Sequence, residues 1–242
     1  MVTGAGRGIG QAVALALAAD GWDLALVGRS GPGLEATRDR LPAAGGRAVA
    51  LTADVREPSQ VAAAVAEAER RLGPLDALIN NAGVQRLSAA LEVTENDWDD
   101  VLNTNLKGAF FCAQAAGRVM VPRGRGAIVN VASAAALVAV ADRAAYASSK
   151  AGLVMLTKVL ALEWGPRGVR VNAIAPTFVD TDLGRLTLAE PGRRDQITSR
   201  IPLRRIASLD DVVSAVRFLV DPAASGFITG QVLAVDGGLS IQ

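Results

Sequence analysis

Short apolar runs of β type alternate with longer alanine-rich amphipathic stretches along nearly the whole chain, and this alternation restricts the fold more than any other feature. Candidate strands lie at 23–28, 48–52, 77–80, 127–131, 170–174 and 231–235, with candidate helices at 9–20, 33–42, 58–72, 95–120, 145–164 and 209–220. Thr94 with Asp97, and Ser208 with Asp211, read as helix caps. The pattern is that of βαβ units, and it predicts an α/β fold with one doubly wound parallel sheet of about seven strands and helices on both faces. The 242 residues suit a single domain, 1–242, because no linker, repeat or low-complexity tract divides them. Only the region near 182–205, rich in Arg, Gly and Pro, breaks the alternation, and it reads as an insertion covering the substrate. In such sheets ligands bind at the carboxyl ends of the strands where the strand order reverses, so the chemistry should follow directly after strands.

Composition narrows that chemistry. The chain has no histidine and one tyrosine, Tyr146, so imidazole acid/base work and His-ligated metal are excluded. The single cysteine, Cys112, supports neither an internal disulfide nor a thiolate cluster, and no metal site is expected. With 25 basic against 24 acidic residues, nothing points to nucleic acid or an anionic membrane. No apolar run reaches the roughly 20 residues of a membrane helix, and no basic region precedes the apolar stretch at 12–19, so a cytoplasmic protein is expected.

The chain opens Thr3-Gly4-Ala5-Gly6-Arg7-Gly8-Ile9-Gly10 and runs straight into the first candidate helix. Glycines here permit a tight turn and let backbone amides approach a pyrophosphate at the positive end of the helix. Only Met1 and Val2 precede Thr3, where a buried central strand of about five or six residues would be expected. We therefore expect the first strand to be truncated. An N-terminally truncated, catalytically impaired nucleotide-binding or scaffold protein of the same fold is the alternative reading.

Further motifs follow in order. Asp54-Val55 comes after the third strand, Asn80-Asn81-Ala82-Gly83 after the fourth, then Asn105 in Asn105-Leu106-Lys107-Gly108, and Ser133 stands 13 residues before Tyr146, with Lys150 four residues after it. Together with the loop's T-G-x-x-x-G-x-G spacing, these make the chain resemble a classical short-chain dehydrogenase/reductase from Thr3 to about Gly238. The resemblance implies a Rossmann-type sheet and an oxidoreductase that interconverts a ketone and a secondary alcohol by hydride transfer. It implies that Gly4, Arg7, Gly8, Ile9 and Gly10 hold the cofactor phosphates, that Asp54 and Val55 contact its adenine, and that Asn81, Ala82 and Gly83 support it. Ser133 would hydrogen-bond the substrate oxygen, Tyr146 would act as general acid/base, Lys150 would also hold the nicotinamide ribose, and Asn105 would support a water that relays protons to Lys150. The tyrosine and lysine make sense without the resemblance. Four residues apart on a helix they share a face, and a nearby ammonium should bring a phenol pKa of about 10 towards working pH.

The second strand ends Val27-Gly28-Arg29-Ser30 with no acid to pair with a ribose 2′-hydroxyl. Arg29 and Arg7 can instead face a 2′-phosphate, with Ser30 a further cofactor contact, so NADP(H) is the preferred cofactor and NAD(H) the alternative. In the stretch 172–181 the resemblance puts Pro176, Val179 and Thr181 beside the nicotinamide. Thr177 stands where the family usually has glycine, and threonine tolerates unusual backbone angles less well, so the resemblance does not by itself define the local turn and its cofactor contact. The substrate is expected to be a small carbonyl or alcohol, either 3-oxoacyl reductase-like or polyol/sugar dehydrogenase-like. Arginines at 185, 193, 194, 200, 204 and 205 read as a solvated face or as an attraction for an anionic substrate. A homotetramer, or a dimer, is expected by the same analogy.

Overall fold

The computed structural model describes residues 1–43, 45–181 and 192–241. Its strands are β1 (Val2–Thr3), β2 (Leu24–Gly28), β3 (Ala48–Thr52), β4 (Ala77–Asn80), β5 (Gly126–Val131), β6 (Val169–Pro176) and β7 (Val232–Val235). All pair in parallel, in the order β3-β2-β1-β4-β5-β6-β7. The order reverses between β1 and β4, so the crevice for a ligand opens above the ends of those two strands.

Because helices cover both faces, side chains of alternate residues enter different cores. Leu24 and Leu26 of β2 and Ile79 of β4 pack under helices α1 (Gly8–Ala19) and α8 (Leu209–Val220), with Val13, Leu17, Val212 and Val216. Ala25, Val27 and Leu78 face the other way. They meet α3 (Pro58–Leu72), α5 (Ala109–Arg123) and α6 (Ala144–Trp164) through Val61, Val65, Cys112, Met120 and Leu160. The small side chains bring the helices close: a Cβ on Gly117 would lie 2.8 Å from the Trp164 ring. Among the described residues no helix is long and apolar enough to cross a membrane.

Both predicted caps form. Thr94 Oγ1 accepts from the Asp97 amide at the start of α4 (Glu95–Leu102), and Ser208 and Asp211 make a reciprocal capping box on α8. Helix α2 (Gly31–Arg38) starts and stops earlier than the sequence suggested, after Ser30 caps it.

Two segments differ from the sequence expectation. The single helix expected at 95–120 is interrupted by a π-helical stretch, Asn103–Gly108, before continuing as α5. Gly108 is pressed against Val55, and Asn105 turns inward to a backbone partner, and a helical hydrophobic pattern does not register that one-residue widening of the turn. Within the irregular insertion, residues 182–191 lie outside the described ones, Arg185 among them, but Arg193–Arg200 forms a helix, α7. It has a single buried residue, Ile197, too little for a periodic signal, and is anchored by buried Ile201 packed under Gly237.

Strand β1 has two residues, yet it pairs on both sides, Val2 with Leu26 and Ile79, Thr3 with Val27. The Met1 ammonium donates to Ala77 O at 2.8 Å, and burial pushes its pKa down to about 5. A cavity of about 500 Å³, lined in part by Met1, Asp23, Ala25, Leu75 and Ala77, lies beside it at the amino ends of the strands, opposite to the predicted chemistry.

Candidate active site

The crevice is laced together by side chains at the ends of β1 and β4. Thr3 Oγ1 accepts from the amides of Asn81 and Ala82, both at 3.0 Å, and Asn81 Nδ2 donates to the carbonyls of Thr3 (2.9 Å) and Gly4 (3.3 Å). The glycine loop can bend this tightly because Gly4 and Gly8 have φ of +65° and +56°. A Cβ on Gly10 would fall 2.3 Å from Gly4 O and 2.4 Å from Asn81 Nδ2. Behind this seam, Asn80 Nδ2 donates to Asn130 Oδ1 and Asn130 Nδ2 to Thr157 Oγ1, fixing β4, β5 and α6 together.

Helix α1 opens with extended Arg7 at its cap, no side-chain cap and no acid in the first turn. The amides of Ile9 and Gly10 have no acceptor among the described residues. This donor set fits a pyrophosphate. Arg7 and Arg29 are exposed at the same end and form no ion pair with the described residues. Ser30, expected beside the cofactor, also caps α2 by accepting from the Gly33 amide. Asp54 is held below the usual carboxylate range by Arg56, which grips both its oxygens, with Arg29 contributing. Val55, which follows β3, packs on Gly108.

After β6, Thr177 donates its amide to Val235 O at 3.3 Å and does not occupy the left-handed region. The backbone at this position therefore asks nothing of threonine that it resists. Following Pro176, Val179 bridges to Ala207, and the Thr181 methyl comes within 3.8 Å of a Cβ placed on Gly8. The segment after β6 thus reaches across to the first turn of α1.

The four predicted catalytic residues converge at the carboxyl ends of β4 and β5. Tyr146 and Lys150 lie on one face of α6, with the Lys150 Nζ 5.8 Å from the phenol ring centroid. Ser133, just after β5, hydrogen-bonds the phenol, and its Oγ also accepts from the Ala135 amide. Lys150 is buried, donates to Val131 O at 2.7 Å, and is pushed down to about 8 by that burial. The phenol is pushed up by burial, against opposing effects of the Ser133 hydrogen bond and the Arg143 charge. This corrects the expectation that Lys150 draws the phenol down: desolvation outweighs the charges around it.

Asn105 is fully engaged. Its Oδ1 accepts from the Val84 amide (2.8 Å), while Nδ2 donates to Val84 O (2.9 Å) and to Ser149 Oγ (3.1 Å). Ser149 in turn donates to Tyr146 O. Gly83 lets the chain pass between them, since its Cβ would lie 3.2 Å from Asn105 Oδ1 and 3.6 Å from Lys150 Nζ. Sequence reasoning missed Thr3 as the seam residue, although it opens the quoted loop, and gave no weight to Arg143, which lies over the Tyr146 ring, or to Gln85 and Phe178, which hold Arg143. Their signal is position alone, directly beside the recognised motifs.

The chain matches, over residues 4–240, the family model described as Enoyl-(Acyl carrier protein) reductase. It is 39% identical over its full length to a gluconate 5-dehydrogenase of Gluconobacter oxydans, covering 94% of that protein, and 43% identical to a D-threitol dehydrogenase of Mycolicibacterium smegmatis, covering 92%. A solved gluconate 5-dehydrogenase from Burkholderia cenocepacia, in complex with NADP and tartrate, superposes with a TM-score of 0.94 at 37% identity, covering 99% of this chain and 94% of that one. The continuous match agrees with the order of motifs and with the parallel sheet, and on these grounds the chain belongs to the short-chain dehydrogenase/reductase family and is an oxidoreductase acting on CH–OH and C=O groups.

Proposed function

We propose that this enzyme interconverts a ketone and a secondary alcohol with NADP(H), using Tyr146 as general acid/base. The observation that carries the reading is the convergence of one phenol, one serine hydroxyl and one buried lysine at the end of β5, in a chain with no histidine. When bound, the nicotinamide supplies or accepts the hydride. Ser133 donates its hydroxyl to the substrate oxygen. Tyr146, kept protonated by its buried setting, gives its proton to that oxygen during reduction and recovers it during oxidation. Lys150, fixed by Val131 O, would turn its remaining donors to the nicotinamide ribose, and its lowered pKa of about 8 suits proton exchange with the phenol near neutrality. Asn105 holds the Val84 backbone against α6, and through that anchorage supports the water that relays protons to Lys150.

Residues Gly4, Arg7, Gly8, Ile9 and Gly10 would hold the pyrophosphate, Asp54 and Val55 the adenine, Asn81, Ala82 and Gly83 the ribose side, and Pro176, Val179 and Thr181 the carboxamide. Preference for NADP(H) over NAD(H) is supported by the missing acid after β2, by Arg7 and Arg29, which form no ion pair among the described residues, and by NADP in the solved relative. The insertion near 182–205, with α7 as its described part, would cover a small carbonyl or alcohol substrate. A homotetramer is supported by exposed Met155, Val159 and Leu162, which line one stripe of α6.

Steady-state rates for a panel of ketones, 3-oxoacyl thioesters and polyols with both nucleotides test the reading. It predicts turnover of a ketone or secondary alcohol with NADP(H) favoured. No redox turnover across the panel, despite nucleotide binding, would contradict it.

A further inference from the structure

Arg143 lies three residues before Tyr146, after Asp142 turns the chain with a left-handed φ of +61°. Its guanidinium carbon is 6.0 Å from the Tyr146 ring centroid and 5.5 Å from that of Phe178, and its Nη1 donates to Gln85 Oε1 at 2.5 Å. Gln85 follows β4, Phe178 follows β6, and Tyr146 begins α6, so three separate segments fix one cation beside the reacting group. Two aromatic faces and a neutral amide orient the guanidinium without neutralising it. Among the described residues Arg143 has no carboxylate partner, and Arg193 at the start of α7 adds like charge.

A partly buried guanidinium left unpaired is costly, and a bound anion removes that cost. Of its five N–H donors, the contact with Gln85 occupies one. The planar fork is suited to gripping both oxygens of a carboxylate. A neutral hydroxyl offers no such match.

We propose that Arg143 is a specificity-determining residue that binds a carboxylate of the substrate, making this enzyme selective for hydroxy acids and their oxo acids over neutral polyols. The proposal rests on the reading of Tyr146 as the reacting group, because only then does a carboxylate on Arg143 place a carbinol carbon a short distance away at the phenol. It chooses among the substrate classes of the relatives: a sugar acid such as gluconate fits, and a neutral tetritol such as threitol does not.

Two pairs that differ chiefly in carboxylate against CH₂OH provide the test: D-gluconate with D-glucitol, and tartrate with threitol. Binding of each to the NADP⁺ complex is measured by calorimetry, and turnover separately. The expected result is that each carboxylate binds at least tenfold more tightly than its neutral partner, that Arg143→Gln reduces this preference to within about threefold, and that Arg143→Lys restores part of it. Equal binding of the charged and neutral members by the unmodified enzyme, or a preference that survives in Arg143→Gln, would overturn the proposal. A carboxylate that binds through Arg143 but is never oxidised would support the anion site and contradict the redox reading instead, so the two failures are distinct.

Discussion

Lys150 should make the stability of this protein depend on pH in a way that a single substitution removes. Its ammonium is buried, with one backbone acceptor at Val131 and no carboxylate partner among the described residues, and its pKa falls from an ordinary 10.5 to about 8. At about 1.4 kcal/mol per pH unit, that difference corresponds to roughly 3 kcal/mol. The sign follows from proton counting. Below pH 8 the lysine is protonated whether the chain is folded or unfolded, and the fold carries the full penalty. Between about 8 and 10.5 the folded protein releases the proton while the unfolded chain keeps it, so stability rises with pH. Lys150→Met deletes this titration. It also strands Val131 O, an offset that does not vary with pH. Urea unfolding of both proteins at pH 7, 8, 9 and 10 should show the enzyme gaining on the variant by about 1.4 kcal/mol per pH unit above pH 8. Differences that stay constant across that range would refute the assignment of a desolvated, lowered lysine.

Two further predictions concern the nucleotide crevice. Gly10→Ala puts a methyl group 2.3 Å from Gly4 O and 2.4 Å from Asn81 Nδ2, neither of which can yield without breaking the β1–β4 seam, so NADPH affinity should fall at least tenfold by fluorescence titration. Arg29→Glu installs at the end of β2 the acid that the sequence lacks, and the ratio of kcat/KM for NADPH over NADH should fall by at least tenfold.

Strand positions and motif order were legible in the sequence because a doubly covered parallel sheet leaves near-continuous apolar runs, as at Leu24 to Val27 and Ala77 to Ile79. The candidate catalytic cluster was legible because Tyr146 and Lys150 share a helix, so their spacing sets their geometry. What escaped depended on contacts between distant segments. Asn105 lies in a π-helical stretch because Gly108 meets Val55 and the Asn105 side chain meets Val84, and neither contact leaves a periodic trace. The electrostatic effect of Lys150 on the phenol was misjudged because spacing conveys proximity but not burial, and burial dominates for both groups. The turn at Thr177, which the motif left open, proves to need no left-handed angle. Arg143 belongs to no motif, and only the fold brings Gln85, Phe178 and Tyr146 around it.

The central claim is that a single phenol carries the proton chemistry of an enzyme without histidine. Tyr146→Phe tests it most directly, since it removes one oxygen and leaves the ring against Arg143 and Lys150. Measured side by side, turnover should fall at least a thousandfold while NADPH still binds with a Kd within a few-fold of the unmodified enzyme. Turnover retained within tenfold in that variant would contradict the account.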